Sequence, residues 1–229
     1  MLCIGHRGAM GHEPENTLLS IAKALELGVD AVEIDVHNVE DRLVVIHDRD
    51  LSRTTNGTGY LENYSFAYLR TLDAGKGQQI PTLVEVLNAV DRQAIVNIEL
   101  KGNNTAKLAA DTILKYIDLG WSYSDFLVSS FNHYELNQIK TIEPKIETGI
   151  LFYGLPWKYT KIAHELGANI VISNLDYVDA NLVATVHQEN LQAWAYTVNK
   201  PQDISKMREL GVDGIFTNYP DIFNDHQPI

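Results

Sequence analysis

The chain has 229 residues, 45% of them hydrophobic and 21% charged, enough for one sizeable core and within the range of a single α/β barrel. Its 30 acidic residues outnumber 18 lysines and arginines, for a formal net charge of −12. This argues against the basic face of a nucleic-acid binder, and an anionic ligand needs local cations or a metal to overcome the field.

The predicted elements alternate. A strand over residues 2–6 is followed by a helix over 17–27, which stops at Gly28. Strands over 31–36 and 43–47 precede a helix over 83–90, and a strand over 95–100 precedes a helix over 106–119. The pattern then repeats: strand 126–130 and helix 134–142, strand 148–152 and helix 159–166, strand 169–173 and helix 180–189. Strand 193–198, helix 203–210 ending at Gly211 and strand 214–217 close the series. Most strands are near-continuous runs of Val, Ile and Leu, as parallel strands covered on both faces require. The alternation predicts one α/β domain over residues 1–229, a TIM (β/α)8 barrel. Nine strand candidates compete for eight places, so one lies outside the regular barrel. The link from Val36 to Leu43 is too short for a crossover helix, and an irregular hairpin-like connection is expected there.

Residues 49–80 break the alternation as an insertion after the third strand. They contain Arg53-Thr54-Thr55-Asn56-Gly57-Thr58-Gly59-Tyr60, then Tyr64, Phe66 and Tyr68. A loop this long in a compact domain is usually functional. Starting directly after His47-Asp48, it is expected to wall or cover the site; the alternative reading is a surface excursion with a short helix over 66–72. No apolar run reaches a membrane span, and no signal peptide is visible at the N-terminus. The single cysteine, Cys3, has no internal disulfide partner and reads as a core residue. A cytoplasmic location is expected.

Charged residues recur at the ends of the apolar runs. Side chains at i and i+2 on a strand share a face, so Glu33 pairs with Asp35, and Glu99 with Lys101. Glu33, Asp35 and Glu99 are candidate ligands for a hard divalent cation, Mg2+ or Ca2+; taken alone, they fit rim charges paired with Arg7 and Lys101 equally well. His6 and His47 end strand-like runs and are the candidate acid/base pair. Arg7 and Lys101 are candidate phosphate-neutralising cations. Pro14-Glu15-Asn16-Thr17 reads as a helix start with Asn16 or Thr17 as cap, and Glu15 could orient a cation or contact substrate. Trp194 and Tyr196 share a face and either wall the pocket or pack in the core. His12, His37, His133, His164, His187 and His226 are read as structural. No nucleotide P-loop, Rossmann fingerprint or nucleophile elbow is present.

In order, Gly5-His6-Arg7-Gly8, Pro14-Glu15-Asn16-Thr17, Glu33-Ile34-Asp35-Val36, Val45-Ile46-His47-Asp48, Arg53 to Gly59, Ile80-Pro81-Thr82-Leu83 and Glu99-Leu100-Lys101 resemble the glycerophosphodiester phosphodiesterases. Ser129-Ser130-Phe131, Thr197-Val198-Asn199 and Gly211 to Asn218 extend the resemblance over essentially the whole chain. It implies a phospholipase-C-like TIM barrel with its site at the C-terminal ends of the strands. The implied reaction is hydrolysis of glycerophosphodiesters to glycerol 3-phosphate and an alcohol. The implied roles are His6 and His47 in acid/base catalysis, Glu33, Asp35 and Glu99 on Mg2+ or Ca2+, and Arg7 and Lys101 on phosphate. Glu15, Phe131, Trp194 and Tyr196 are expected to contact substrate. The expected partner is a small-molecule glycerophosphodiester, with no nucleic acid and no stable membrane insertion. The family's insertion is short here. Asp41-Arg42 replaces its usual Asp-Gly turn, and Tyr196 stands where it usually has Trp. Rival readings are a lysophospholipase D-like lipid phosphodiesterase on the same barrel, a non-catalytic phosphate-binding module, and an aldolase- or enolase-type barrel.

Overall fold

A computed structural model describes residues 1–224; His226 lies outside them. The strands are β1 (Leu2–Gly5), β2 (Ala31–Val39), β3 (Arg42–Val45), β4 (Ile95–Leu100), β5 (Phe126–Ser130), β6 (Glu147–Phe152), β7 (Ile170–Asn174), β8 (Gln192–Tyr196) and β9 (Gly214–Thr217). Eight of them close into a parallel barrel in the order β1-β2-β4-β5-β6-β7-β8-β9, with β9 returning to β1. The extra strand is β3, which pairs antiparallel with the far end of β2, Val36 opposite Val45 and Val39 opposite Arg42. The two-residue turn between them, Glu40-Asp41, has positive φ at both positions, 49° and 57°. A tight hairpin needs that twist, which glycine or asparagine adopts most easily.

The helices are α1 (Leu18–Glu26), α2 (Phe66–Leu69), α3 (Leu83–Val90), α4 (Ala106–Asp118), α5 (His133–Ile142), α6 (Tyr159–Glu165), α7 (Ala180–Gln188), α8 (Pro201–Leu210) and α9 (Pro220–Asn224). Thr17 caps α1 by accepting from Ser20 N. Thr82 and Glu85 form a reciprocal capping box on α3. The short helix read over 66–72 ends at Leu69 instead, and α9 was not anticipated. Among the described residues no helix is long and apolar enough to cross a membrane.

Strand alternation sorts the core into two layers. On β2, Val32, Ile34 and Val36 face the helices in the larger cluster, as Val96, Ile98 and Leu100 do on β4. Burying each such side chain stabilises the fold by about 1.5–3 kcal/mol, and truncating Ile34 to alanine costs about 2–5 kcal/mol. The alternate set points into the barrel, where Ile4, Ala31, Leu127, Ile172, Trp194 and Phe216 pack. Near the C-terminal ends of β2 and β4 this inward set turns polar. Cys3 is buried in β1, and burial pushes its thiol pKa up to about 12, as expected of a core residue. Residues 49–80 pack on their own small cluster, in which Leu51, Leu61, Leu69 and Leu72 meet Val44 and Ile46. A bidentate pair from Arg70 to Glu85 fastens it to α3.

Candidate active site

Pairing of β2 with β4 sets Asp35 level with Glu99 and Glu33 level with Asn97. Because i and i+2 share a face, all three carboxylates enter the barrel mouth. Their ligand atoms lie within 4.8 Å of one another. Glu33 and Asp35 are fully buried. Arg7 N donates to Glu33 Oε2 at 2.8 Å. Asn16 Nδ2 donates to Asp35 Oδ2 at 2.9 Å. Lys101, just past β4, places Nζ 2.9 Å from Glu99 Oε1 and 3.8 Å from Asp35 Oδ1. Among the described residues, Glu33 Oε1 and Asp35 Oδ1 find no hydrogen-bond donor.

Burial, then the Asp35 and Glu99 charges, push Glu33 well above the usual carboxyl range. Burial and Asp35 push Glu99 up to about 7. Leaving such oxygens unpaired costs about 1–3 kcal/mol each. A donor set made only of carboxylate oxygens, two of them without a hydrogen-bond donor, fits a hard divalent cation.

The turn after β1 sets the rest of this wall. Arg7 has φ 51° and Gly8 φ 83°. A Cβ on Gly8 would lie 2.4 Å from Ser20 Oγ, so the turn packs on α1 only with glycine there. Arg7 Nη1 then reaches Glu15 Oε1 at 2.7 Å, and its Nε lies 3.3 Å from Asp35 Oδ2. Arg53, from the insertion, donates to both Glu15 oxygens at 2.8 Å and also pairs with Asp48.

His6 and His47 line the same cavity, of about 240 Å³, with Arg7, Glu33, Glu99 and Lys101. Burial and the Arg7 charge hold the His6 pKa down to about 4. His6 Nδ1 lies 2.7 Å from Asn218 Oδ1. With that oxygen accepting, Nδ1 carries the proton and Nε2 is left with a free lone pair. Burial also lowers His47, whose Nδ1 pairs with Asp48 Oδ1. The Arg53 hydrogen bond holds Asp48 ionised, well below the usual carboxylate range. Phe131, Leu151, Tyr153, Tyr196 and Phe216 make the apolar wall. Phe131 stacks on Tyr153 at 4.1 Å and meets Tyr196 edge-on. Tyr196 Oη donates to Phe152 O at 2.7 Å.

Residues 6–222 match the model of the glycerophosphoryl diester phosphodiesterase family. The chain belongs to that family. This phosphodiesterase is 33% identical to a glycerophosphodiester phosphodiesterase of Caldanaerobacter subterraneus subsp. tengcongensis, over 96% of this chain and 95% of the relative. It is 35% identical to another from Bacillus altitudinis, over 94% of each. It also superimposes with a TM-score of 0.91 on an Oleispira antarctica phosphodiesterase solved with the product sn-glycerol-3-phosphate, at 29% identity over 98% of this chain and 96% of that one.

The phosphodiesterase brings ten of the eleven candidates to one mouth; Trp194 is the exception. It shares the inward face of β8 with Tyr196 but lies a layer deeper, packed on Phe216, with its indole N–H donated to Gln192. Depth along the strand makes it barrel core rather than pocket wall. Glu15 meets the site through the two arginines. Sequence reasoning missed Asn218, Asp48, Arg53 and Tyr153 as partners, and read Asn16 only as a cap. All but Tyr153 lie in or beside the motifs, and that adjacency was the available signal. His12, His164 and His187 pair with Asp221, Glu189 and Asp213, and His133 lies against the Leu151 carbonyl, all apart from the three-carboxylate cluster. His37 lies 3.0 Å from the His47 carbonyl, beside the site.

Proposed function

We propose that the protein hydrolyses water-soluble glycerophosphodiesters to glycerol 3-phosphate and an alcohol. A divalent cation, Mg2+ or Ca2+, would be held by Glu33, Asp35 and Glu99. The observation that carries this reading is one convergence: three carboxylates within reach of one ion, two of them with an oxygen that finds no hydrogen-bond donor among the described residues, beside His6, held neutral by burial, and His47, backed by Asp48. The sn-glycerol-3-phosphate bound by the Oleispira relative is the product expected here.

The bound cation supplies charge neutralisation at the phosphate oxygens. Arg7 and Lys101 add fixed positive charge on the same side and orient the phosphate. His6 presents a bare Nε2 and has a neutral amide behind it, so it acts as base and takes the proton of the attacking oxygen. His47 has the ionised Asp48 behind Nδ1, which favours its protonated form. It acts as acid and gives a proton to the departing alkoxide. The stacked Phe131 and Tyr153, with Tyr196, cover the carbon face of the glycerol.

The test is release of glycerol 3-phosphate from glycerophosphocholine, glycerophosphoethanolamine and glycerophosphoglycerol with Mg2+ or Ca2+, before and after chelation. Chelation should abolish turnover and either cation restore it. Full turnover by demonstrably metal-free protein overturns the cation assignment. A clear preference for a lysophospholipid overturns the soluble-substrate assignment.

A further inference from the structure

A second cavity, of about 380 Å³, adjoins the site on the far side of Lys101. Three segments build it: His37 and Asn38 on β2, Arg49 and Glu62 of the insertion, and Gly102 and Asn103 after β4. It touches the reaction centre at two points. Lys101 lines both cavities. His37 Nε2 lies 3.0 Å from the carbonyl of His47, the residue assigned as acid. Gly102 approaches the His37 ring closely; a Cβ there would lie 3.0 Å from His37 Nδ1. The absence of a side chain keeps this floor open.

Apart from Leu61 the lining is polar, and the Lys101 charge is already met by Glu99. Arg49 and Glu62 neutralise each other as a salt bridge. Asn38 Nδ2 is used by Asn104 O, and among the described residues its Oδ1 is buried without a hydrogen-bond donor. Asn103 is exposed at the rim. A carboxylate, a guanidinium and the Asn103 amide set donors and acceptors side by side at the rim, the arrangement that satisfies neighbouring hydroxyl groups. An acyl chain would strip these groups of water with nothing returned.

We propose that this groove receives the alcohol half of the diester and selects polyhydroxylated alcohols of the size of glycerol or a cyclitol. The inference rests on the phosphodiesterase reading and adds a specificity site to it. Every substrate shares the glycerol phosphate half, which suits the recessed cavity at the barrel mouth. The variable half goes to the rim, where the insertion contributes Arg49 and Glu62. The alkoxide leaves on the His47 side, where the acid stands.

The experiment compares kcat/KM for glycerophosphoglycerol with that for the ethyl ester of glycerol 3-phosphate, whose alcohol carries no further hydroxyl. Glu62→Ala and Asn103→Ala alter exposed residues, so both should fold with unchanged Tm. Each should lower kcat/KM for the polyol ester about tenfold, the size of one hydrogen bond to a charged or well-placed partner. The ethyl ester should be unaffected. In the unaltered protein, glycerophosphoglycerol should exceed glycerophosphocholine, whose quaternary ammonium donates no hydrogen bond. Turnover of both esters with an unchanged ratio in both variants overturns the groove assignment alone. No turnover of either ester by the unaltered protein overturns the phosphodiesterase reading and the groove with it.

Discussion

Asn16 grips Asp35 with both ends of its amide. Its Nδ2 donates to Asp35 Oδ2 at 2.9 Å, and its Oδ1 accepts from the Asp35 backbone N–H at 3.2 Å. Asn16 is buried and sits at φ 57° just before the Thr17 cap of α1. The helix start therefore occupies Asp35 Oδ2 and leaves Oδ1 as the oxygen without a hydrogen-bond donor among the described residues.

Asn16→Gly tolerates the positive φ, so it removes the amide without adding backbone strain. We expect cation affinity to fall about ten- to a hundredfold, the usual effect of losing a residue that orients a metal ligand. Titration calorimetry with Mg2+ and Ca2+ measures it. A lowered Tm with unchanged cation affinity would make Asn16 a structural residue only.

The cation-free protein should lose stability as pH rises above about 6.5 through the folded carboxyl values, about 7 for Glu99. Glu33 and Glu99 have folded pKa values raised above their unfolded ones, by burial and by neighbouring carboxylates. Such groups favour the fold fully below the unfolded carboxyl pKa, and the benefit is lost as pH passes the folded values, about 7 for Glu99. His6, His37 and His47 are lowered, so their opposite contribution is complete once pH exceeds the unfolded histidine range. Asp48 is held low and changes nothing in this window. Saturating Mg2+ or Ca2+ should raise Tm more at the upper end than at the lower. A flat cation-free profile, with a cation effect independent of pH, contradicts the clustered carboxylates.

His6→Ala and His47→Ala should each lower kcat by about two to four orders of magnitude. Leaving-group dependence separates their roles. A diester with a nitrophenol leaving group departs without protonation, so it should recover most of the His47→Ala loss and little of the His6→Ala loss. Equal recovery in both variants would remove the base and acid assignments.

The barrel was legible because its strands are short apolar runs spaced by amphipathic helices. Glu33 and Asp35 follow from strand periodicity. Their meeting with Glu99 depends on register, Asp35 level with Glu99, which closure of the barrel sets and no local pattern records. Periodicity placed Trp194 and Tyr196 on one face but carries no information on depth, and one became core while the other lines the cavity. Asn16 and Asn218 were hidden because an asparagine beside a helix cap or strand end already has a sufficient local reading. In the insertion the tyrosines drew attention, whereas buried Leu51, Leu61 and Leu69 organise it.

Arg53 tests whether that insertion belongs to the site. Its guanidinium spans from the insertion to Glu15 and Asp48, and so stands behind both Arg7 and His47. It is 46% exposed, so its ion pairs contribute little to stability, about 0–1 kcal/mol. Their value lies in orientation. Without Arg53, Glu15 loses one of its two arginines and Asp48 loses the hydrogen bond that fixes it behind His47. Arg53→Ala should leave Tm nearly unchanged and lower kcat/KM for glycerophosphodiesters about tenfold, as a small misplacement of catalytic groups does. Arg53→Lys keeps the charge but cannot span two carboxylates with a planar fork, so it should rescue only part of the loss. Calorimetry and steady-state kinetics on the three proteins decide the matter. Unchanged kcat/KM in Arg53→Ala would make the insertion a surface excursion, whereas the expected loss makes it a wall of the active site.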